Sequence, residues 1–154
     1  MQYLRGLALA LDLAAQQRLL AGKGLAQAQH AYGYSKNQLQ QLQAYLGDSQ
    51  ARSVHTGQTV AGGGLLQGRY QFMDRLCLAI GLQEGVLQDV QQKLDAAKKV
   101  AVAAQFRRAS LERVMQRRLD VQARAAARQE QKQSDDFSSQ RYARAAGRSS
   151  EGET

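Results

Sequence analysis

The sequence predicts an all-α protein. Two long helices fold back on each other as an antiparallel coiled-coil hairpin, with an overhanging C-terminal helix and a disordered tail. Three observations carry this. The 154 residues include no proline, the residue that breaks helix interiors. Apolar residues recur at alternating steps of four and three over two long stretches, the period of a helix that packs along a straight seam. Between the stretches the period stops, five glycines intervene, and the pattern resumes one residue out of phase.

The second stretch is the longer, from Leu66 to Lys132. Every seventh residue from Leu66 gives Leu66, Met73, Ile80, Leu87, Leu94, Ala101, Arg108 and Met115. The companion series gives Arg69, Leu76, Gln83, Val90, Ala97, Ala104 and Leu111. Twelve of these fifteen seam positions are apolar. The first stretch reads Leu4, Leu11, Arg18, Leu25, Tyr32, Leu39 and Leu46, with Leu7, Ala14, Ala21, Ala28, Ser35, Leu42 and Ser49 beside them. Eleven of these fourteen are apolar. Gly22, Gly24 and Gly33 interrupt it, each at about 1 kcal/mol relative to alanine.

Past Ser49 the seam would need Ser53, Thr56, Val60 and Gly63, and only Val60 is apolar. Gly47, Gly57, Gly62, Gly63 and Gly64 fall here, so a flexible connection is expected over 47–64. The expected organisation is therefore a coiled coil over 1–137, with one helix over about 2–46 and the other over about 65–133. The serine-rich residues 138–154 are expected to be disordered. Placing Leu46 opposite Leu66 puts Met1 near Leu111, so the second helix overshoots from Glu112 to Lys132. Two amphipathic helices on one connection pair most simply in this antiparallel way.

Composition supports the class and limits the function. Aromatic residues make up 6% of the chain and tryptophan is absent, too little bulky material for a compact core. Alanine and leucine fill a narrow seam instead. The net charge of +8, from 21 basic and 13 acidic residues, implies acidic partners without choosing among them. The single cysteine, Cys77, rules out an intrachain disulfide and fits a reducing compartment. The apolar run Gly6 to Leu11 is cut short by Asp12, shorter than a signal-peptide core. No run reaches the length of a membrane span.

Catalytic constellations are missing. His30 and His55 stand alone, without cysteine or carboxylate at metal-ligand spacing. Cys77 follows seam residue Leu76 and is expected to be partly buried. Asp135 and Asp136 are neighbours on a helix, not a pair facing one substrate. Residues 57–68 are glycine-rich but lack the Gly-Lys-Ser/Thr ending of a phosphate-binding loop. No enzyme activity, cofactor, metal or small-molecule substrate is expected.

Two surfaces stand out. From Arg107 to Lys132 eight basic residues face three acidic ones, a net +5. Arg107, Arg108, Arg113, Arg117 and Arg118 lie there among Leu111, Val114, Met115 and Leu119. A first helix too short to cover these apolar residues leaves them to another molecule. The second surface lies near the hairpin tip. Tyr45 and Phe72 each fall one residue before a seam position, and in an antiparallel pair those positions line the same edge. They would sit beside Leu42 and Leu76. Clustered exposed aromatics commonly anchor interfaces.

These residues resemble the FliJ family of flagellar type III export proteins over about Leu4 to Phe137. The resemblance is carried by the leucine–alanine first helix, by Gln38-x-x-x-Leu42-x-x-Tyr45, and by Tyr70-x-Phe72-x-x-x-Leu76-x-x-Ala79-Ile80-x-x-Gln83. It ends with Glu130-Gln131-Lys132-x-x-Asp135-Asp136-Phe137. The resemblance implies a stalk-like antiparallel coiled coil whose terminal ends enter the pore of a hexameric export ATPase. It also implies contact with the membrane export gate and handling of export chaperones, at the cytoplasmic face of the inner membrane. The family's gate-contacting surface maps onto Gln38, Leu42, Tyr45, Phe72, Leu76, Ala79 and Gln83. Ser49 departs from the pattern, standing where relatives often carry an aromatic. Injectisome stalk proteins share the architecture. A nucleic-acid-binding coiled coil is the alternative of another class, but no aromatics interleave the basic run. A purely structural homo-oligomer is a third reading, opposed by Arg18 and Arg108 in the seam.

Overall fold

A computed structural model describes residues 2–56 and 63–150. It holds two α-helices, α1 (Gln2–Thr56) and α2 (Gly63–Ser150), packed against each other, and no strand among the described residues. Both helices run further than the seam. The residues 47–56, expected in a loop, continue α1, and the residues 138–150, expected to be disordered, continue α2. The reason is that losing the seam ends burial, not helicity. Neither segment contains proline, and alanine, arginine and glutamine are good helix formers. The helical residues 50–54 are accordingly exposed, as is every residue of 121–150. At the end of α2, Ser149 Oγ donates to the Ala145 and Ala146 carbonyls and Ser150 Oγ to the Gly147 carbonyl, at 2.9–3.2 Å. These are local back-bonds to carbonyls three and four residues earlier. Of the three acceptors, only the Gly147 carbonyl is among the last four that a helix end leaves without an intrahelical partner. The rest of the predicted loop, 57–62, and the tail 151–154 lie outside the described residues.

Periodicity predicts one coiled coil over 1–137, whereas the chain divides into two compact units. One is Leu13–Arg107; the other joins Met1–Asp12 to Arg108–Thr154.

In the unit Leu13–Arg107 the helices pair antiparallel: Ser35 meets Gln83 and Tyr45 meets Phe72. Leu39, Leu76 and Ile80 form the core, with Leu42, Leu46 and Leu87 packed against them. Ala14 and Leu94 are also buried. The seam series reads out directly in burial. Of the fourteen α1 positions in both units, only Arg18 is exposed; of the fifteen in α2, only Leu66 and Arg69 are. A pair of helices covers its seam from two sides only, so even Leu94 and Leu76 keep 5% and 7% exposure. Gly22, Gly24 and Gly33 have nothing within 4 Å of where a Cβ would stand. No close approach of the helices requires them.

Ser35 is the buried polar residue of this core, 3% exposed. Gln83 Nε2 donates to its hydroxyl at 3.0 Å, to its carbonyl at 3.1 Å and to Gln38 Oε1 at 3.3 Å. No buried side-chain polar atom among the described residues lacks a partner. Ser35 and Gln83 both occupy seam positions. A slip of one helix along the other would leave both without partners in an apolar seam, an arrangement costing about 1–3 kcal/mol per orphaned group.

In the other unit the pairing is again antiparallel. Tyr3 lies against Arg118, whose guanidinium carbon is 5.8 Å from the ring centroid. Leu4, Leu7 and Leu11 are half-buried, as are Leu111 and Met115. This corrects the expected register. The overshoot of α2 begins after Gln122, not at Glu112, because α1 continues ten residues beyond Leu46 before the chain reverses. Pairs that Leu46 opposite Leu66 would set at a residue-number sum of 112 occur at 117 to 121.

Replacing Ser35 by Ala and Gln83 by Leu together should keep helicity but loosen the register. With Cys77→Ser as background, spin labels at Ala31 and Val86 should give one short distance in the parent, within about two axis separations of 8–10 Å. In the double variant the distribution should broaden. An unchanged single peak would show that the apolar seam alone sets the register.

Candidate partner-binding surfaces

The tip edge lies in the unit Leu13–Arg107. Tyr45 comes from α1 and Phe72 from α2, and their rings meet edge to face, with centroids 5.9 Å apart and planes at 77°. This is a favoured aromatic geometry. The pair remains open to solvent, Tyr45 at 55% and Phe72 at 45% exposure. The ring contact covers part of each surface and leaves the rest exposed. Leu42 and Leu76 lie beneath: Leu42 half-buried, Leu76 within the core. Leu76 therefore supports the surface more than it forms it. Ala79 is half-buried. Further along the same pairing, Gln38 accepts from Gln83 and donates through its own Nε2 to Tyr34 Oη at 3.0 Å. The structure brings the glutamines together in one hydrogen-bonded set and the aromatics in one ring pair.

Sequence reading did not find Ser35 as the hub of the glutamine set; a serine in an apolar seam was the available signal. Nor did it find a notch of about 150 Å³ beyond Phe72, lined by Ser49, Arg52, Ser53, Arg69, Phe72 and Met73. Its signal was equally plain: Ser49 and Arg69 are polar residues at seam positions.

The unit Leu13–Arg107 also carries a shallow apolar trough of about 580 Å³ between Leu20, Ala21 and Gly24 on α1 and Ala97, Val100 and Ala104 on α2, with Arg107 at its rim. Small side chains at the seam do not fill the space between the helices there. Arg107 itself is exposed.

The remaining basic residues lie in the other unit. Arg108 occupies a seam position with its stem half-covered, while its Nε reaches outward to Glu112 Oε1 at 2.9 Å. That is how a seam accommodates arginine: the methylenes pack and the charge stays in water. The exposed i,i+4 pair contributes little to stability. Leu111 and Met115 are half-buried against this seam, not left open as the shorter register implied. Arg113, Arg117 and Arg118 are exposed, and Arg117 and Arg118 line a notch with Tyr3, Leu4, Val121 and Gln122. Beyond Gln122 every described residue of α2 is exposed, including Arg124, Arg128, Lys132, Phe137, Arg141, Arg144 and Arg148.

Cys77 is exposed, not partly buried as its place beside Leu76 suggested. His30 is exposed, and the His55 side chain lies outside the described residues. No group of histidine, cysteine and carboxylate side chains that could hold a metal occurs among the described residues. No described helix is long and apolar enough to cross a membrane.

Because Tyr45 and Phe72 are half open, removing both rings should disturb the fold only slightly. Tyr45→Ala with Phe72→Ala should lower unfolding free energy by about 1–3 kcal/mol, the loss of partial burial and a ring contact. Leu39→Ala alone should lower it by about 2–5 kcal/mol, as for a core leucine. Urea titrations followed by circular dichroism would separate the two. A collapse of helicity in the aromatic double variant would make the pair part of the core.

The model of a protein family described as "Flagellar FliJ protein" matches residues 5–147. Comparison with curated proteins and with solved structures finds no match.

Proposed function

The chain belongs to the FliJ family of flagellar proteins and so is a component of flagellar type III export; within that machinery we propose that it works as a stalk, joining a hexameric export ATPase to the export gate. The observation that carries the gate half of this reading is the exposed Tyr45–Phe72 pair. Two aromatic rings, held at fixed geometry over a buried leucine core, offer a rigid apolar anchor whose ordering is already done before a partner arrives. Preorganised aromatic anchors dominate many interfaces. The gate surface comprises Gln38, Leu42, Tyr45, Phe72, Leu76, Ala79 and Gln83. Tyr45 and Phe72 make the contact, Leu42 and Ala79 flank it, and Leu76 with the Gln38–Gln83 bond holds the helices in register beneath.

The ATPase half rests on the basic residues from Arg107 to Lys132. Arg107, Arg113, Arg117 and Arg118 supply exposed charge. Arg108, Leu111 and Met115 hold the local helix pairing that presents it. A ring pore lined with acidic or polar loops would neutralise this charge and cover Val114 and Leu119, which remain partly exposed. No bond is made or broken by this chain. It biases the geometry of ring subunits by binding them, and nucleotide chemistry stays with the ATPase. Handling of export chaperones and residence at the cytoplasmic face of the inner membrane, held there through the gate, complete the proposal. An injectisome stalk role would use the same two surfaces. A nucleic-acid partner would use only the arginines, and the aromatic edge would then have no role.

Replacing Tyr45 and Phe72 with alanine should weaken gate binding by about 2 kcal/mol or more, the usual loss for interface anchors, and reduce motility. Wild-type binding and swimming in that variant would reduce the pair to a cover over the seam. Separately, replacing Arg113, Arg117 and Arg118 with glutamate should abolish stimulation of the ATPase. Stimulation by the native chain should also weaken with salt, since exposed charges are screened over about 10 Å at 0.1 M. Turnover measured against added protein decides this. Equal stimulation by native and reversed-charge chains would exclude a contact made through these arginines.

A further inference from the structure

An antiparallel helix pair gains stability by burying apolar residues at its seam positions. Two neighbouring seam positions near the tip break that rule. Ser49 on α1 is half-buried and Arg69 on α2 is exposed. With Arg52 and Ser53 from α1 they line a notch of about 150 Å³, floored by Phe72 and Met73. Leucine or an aromatic at both positions would close the seam. The chain instead gathers two guanidinium groups and two hydroxyls around an open space beside the Tyr45–Phe72 pair. Asp48 and Asp74, the neighbouring acids in sequence, do not line it. Arg52 already engages another group of this chain and has further N–H donors to share, whereas Arg69 makes no hydrogen bond or ion pair among the described residues.

We propose that this notch is a specificity pocket for an acidic side chain of the export gate. A partner surface that covers Tyr45 and Phe72 would place a carboxylate between Arg52 and Arg69. The chemistry of the lining chooses the occupant. Guanidinium forks match a carboxylate in shape and charge, and the bonds they form are the stronger, charge-assisted kind. The serine hydroxyls can donate to the same oxygens. Phe72 and Met73 give an apolar floor for the methylenes of a glutamate or aspartate. A volume near 150 Å³ holds about one ring-sized group, so the notch takes a single side chain and not a segment of backbone. The proposal rests on the gate-contact reading of Tyr45 and Phe72. It adds that the tip recognises an apolar patch with an acidic residue beside it, so that charge selects the partner and sets the encounter rate.

The test is calorimetric titration of the full chain with the cytoplasmic domain of the export gate, at low and at high salt. Four variants are compared with wild type: Arg52→Gln with Arg69→Gln, Arg69→Lys, Tyr45→Ala with Phe72→Ala, and Arg128→Gln as a remote charge control. Circular dichroism should show equal helicity in all. The paired glutamine variant should bind about tenfold more weakly and lose most of the salt dependence. Arg69→Lys, which keeps charge but not the fork, should fall between, and Arg128→Gln should match wild type. If the alanine pair abolishes binding while the glutamine pair binds like wild type at both salts, the gate contact stands and the notch proposal is overturned. If the alanine pair also binds like wild type, the gate reading fails and the proposal falls with it. Titration with a short duplex DNA is the remaining arm. Loss of DNA binding in the glutamine pair, with gate binding untouched, would assign the notch to phosphate and overturn the proposal.

Discussion

A seam one side chain deep supplies the apolar burial that each helix obtains from the other, and the remaining features follow from that limit. A helix packed against a single neighbour leaves most of its circumference in water. In the unit Leu13–Arg107 the best-covered apolar side chains, Ala14, Leu94 and Leu76, come from strict heptad positions, while Leu78 and Leu82, off the seam, are two-thirds exposed. Side chains must therefore be apolar at every third or fourth position and are free elsewhere. That freedom is where function can be written. Tyr45 and Phe72 sit one residue from the seam, close enough to be held and far enough out to be reached.

Apart from the exposed Arg18, the polar exceptions along the seam are resolved in three different ways. Ser35 and Gln83 are buried or half-buried and satisfy each other across the helices in the observed register, so a slip to another would separate them. Single polar residues in coiled-coil seams act in this manner, giving up some stability for a unique alignment. Arg108 keeps its stem in the seam and sends its charge to Glu112. Ser49 and Arg69 are resolved by neither route, and the seam opens around them into the notch beside Phe72. One kind of sequence irregularity thus yields a register lock, a tolerated charge and a cavity. The difference lies in what stands opposite.

The long exposed part of α2 has a different physical basis. From 123 to 150 no residue is buried or half-buried, so tertiary packing contributes nothing to helicity there. Helix propensity carries it, with alanine and arginine dominant and no proline. Local pairs such as Gln131 Nε2 to Asp135 Oδ1 at 3.1 Å and Arg141 over the Phe137 ring at 6.0 Å add a few tenths of a kcal/mol each. Such a segment is helical at small margin, carries mostly positive charge, and presents all its side chains to a partner.

The sequence by itself determined the fold class, the two seams and their phase, because a 3.5-residue period in a proline-free chain has one physical reading. Twenty-six of the twenty-nine seam positions read from it are buried or half-buried. It also placed Tyr45 and Phe72 on one edge, since heptad geometry puts such positions together in any antiparallel pair. Helix ends were not legible in the same way. A seam marks where helices pack, and residues 50–54 of α1 and 121–150 of α2 are helical while exposed. Register was misplaced for that reason: the continuation of α1 past Leu46 moves the partner of Tyr3 to Arg118 and leaves Leu111 and Met115 half-covered. Tertiary structure alone decided which polar residues face each other. That Gln83 reaches Ser35, and that Ser49, Arg52, Ser53 and Arg69 surround one space, depends on the relative axial position of two helices. Periodicity within each helix is unchanged by sliding one along the other, so only their contact sets it.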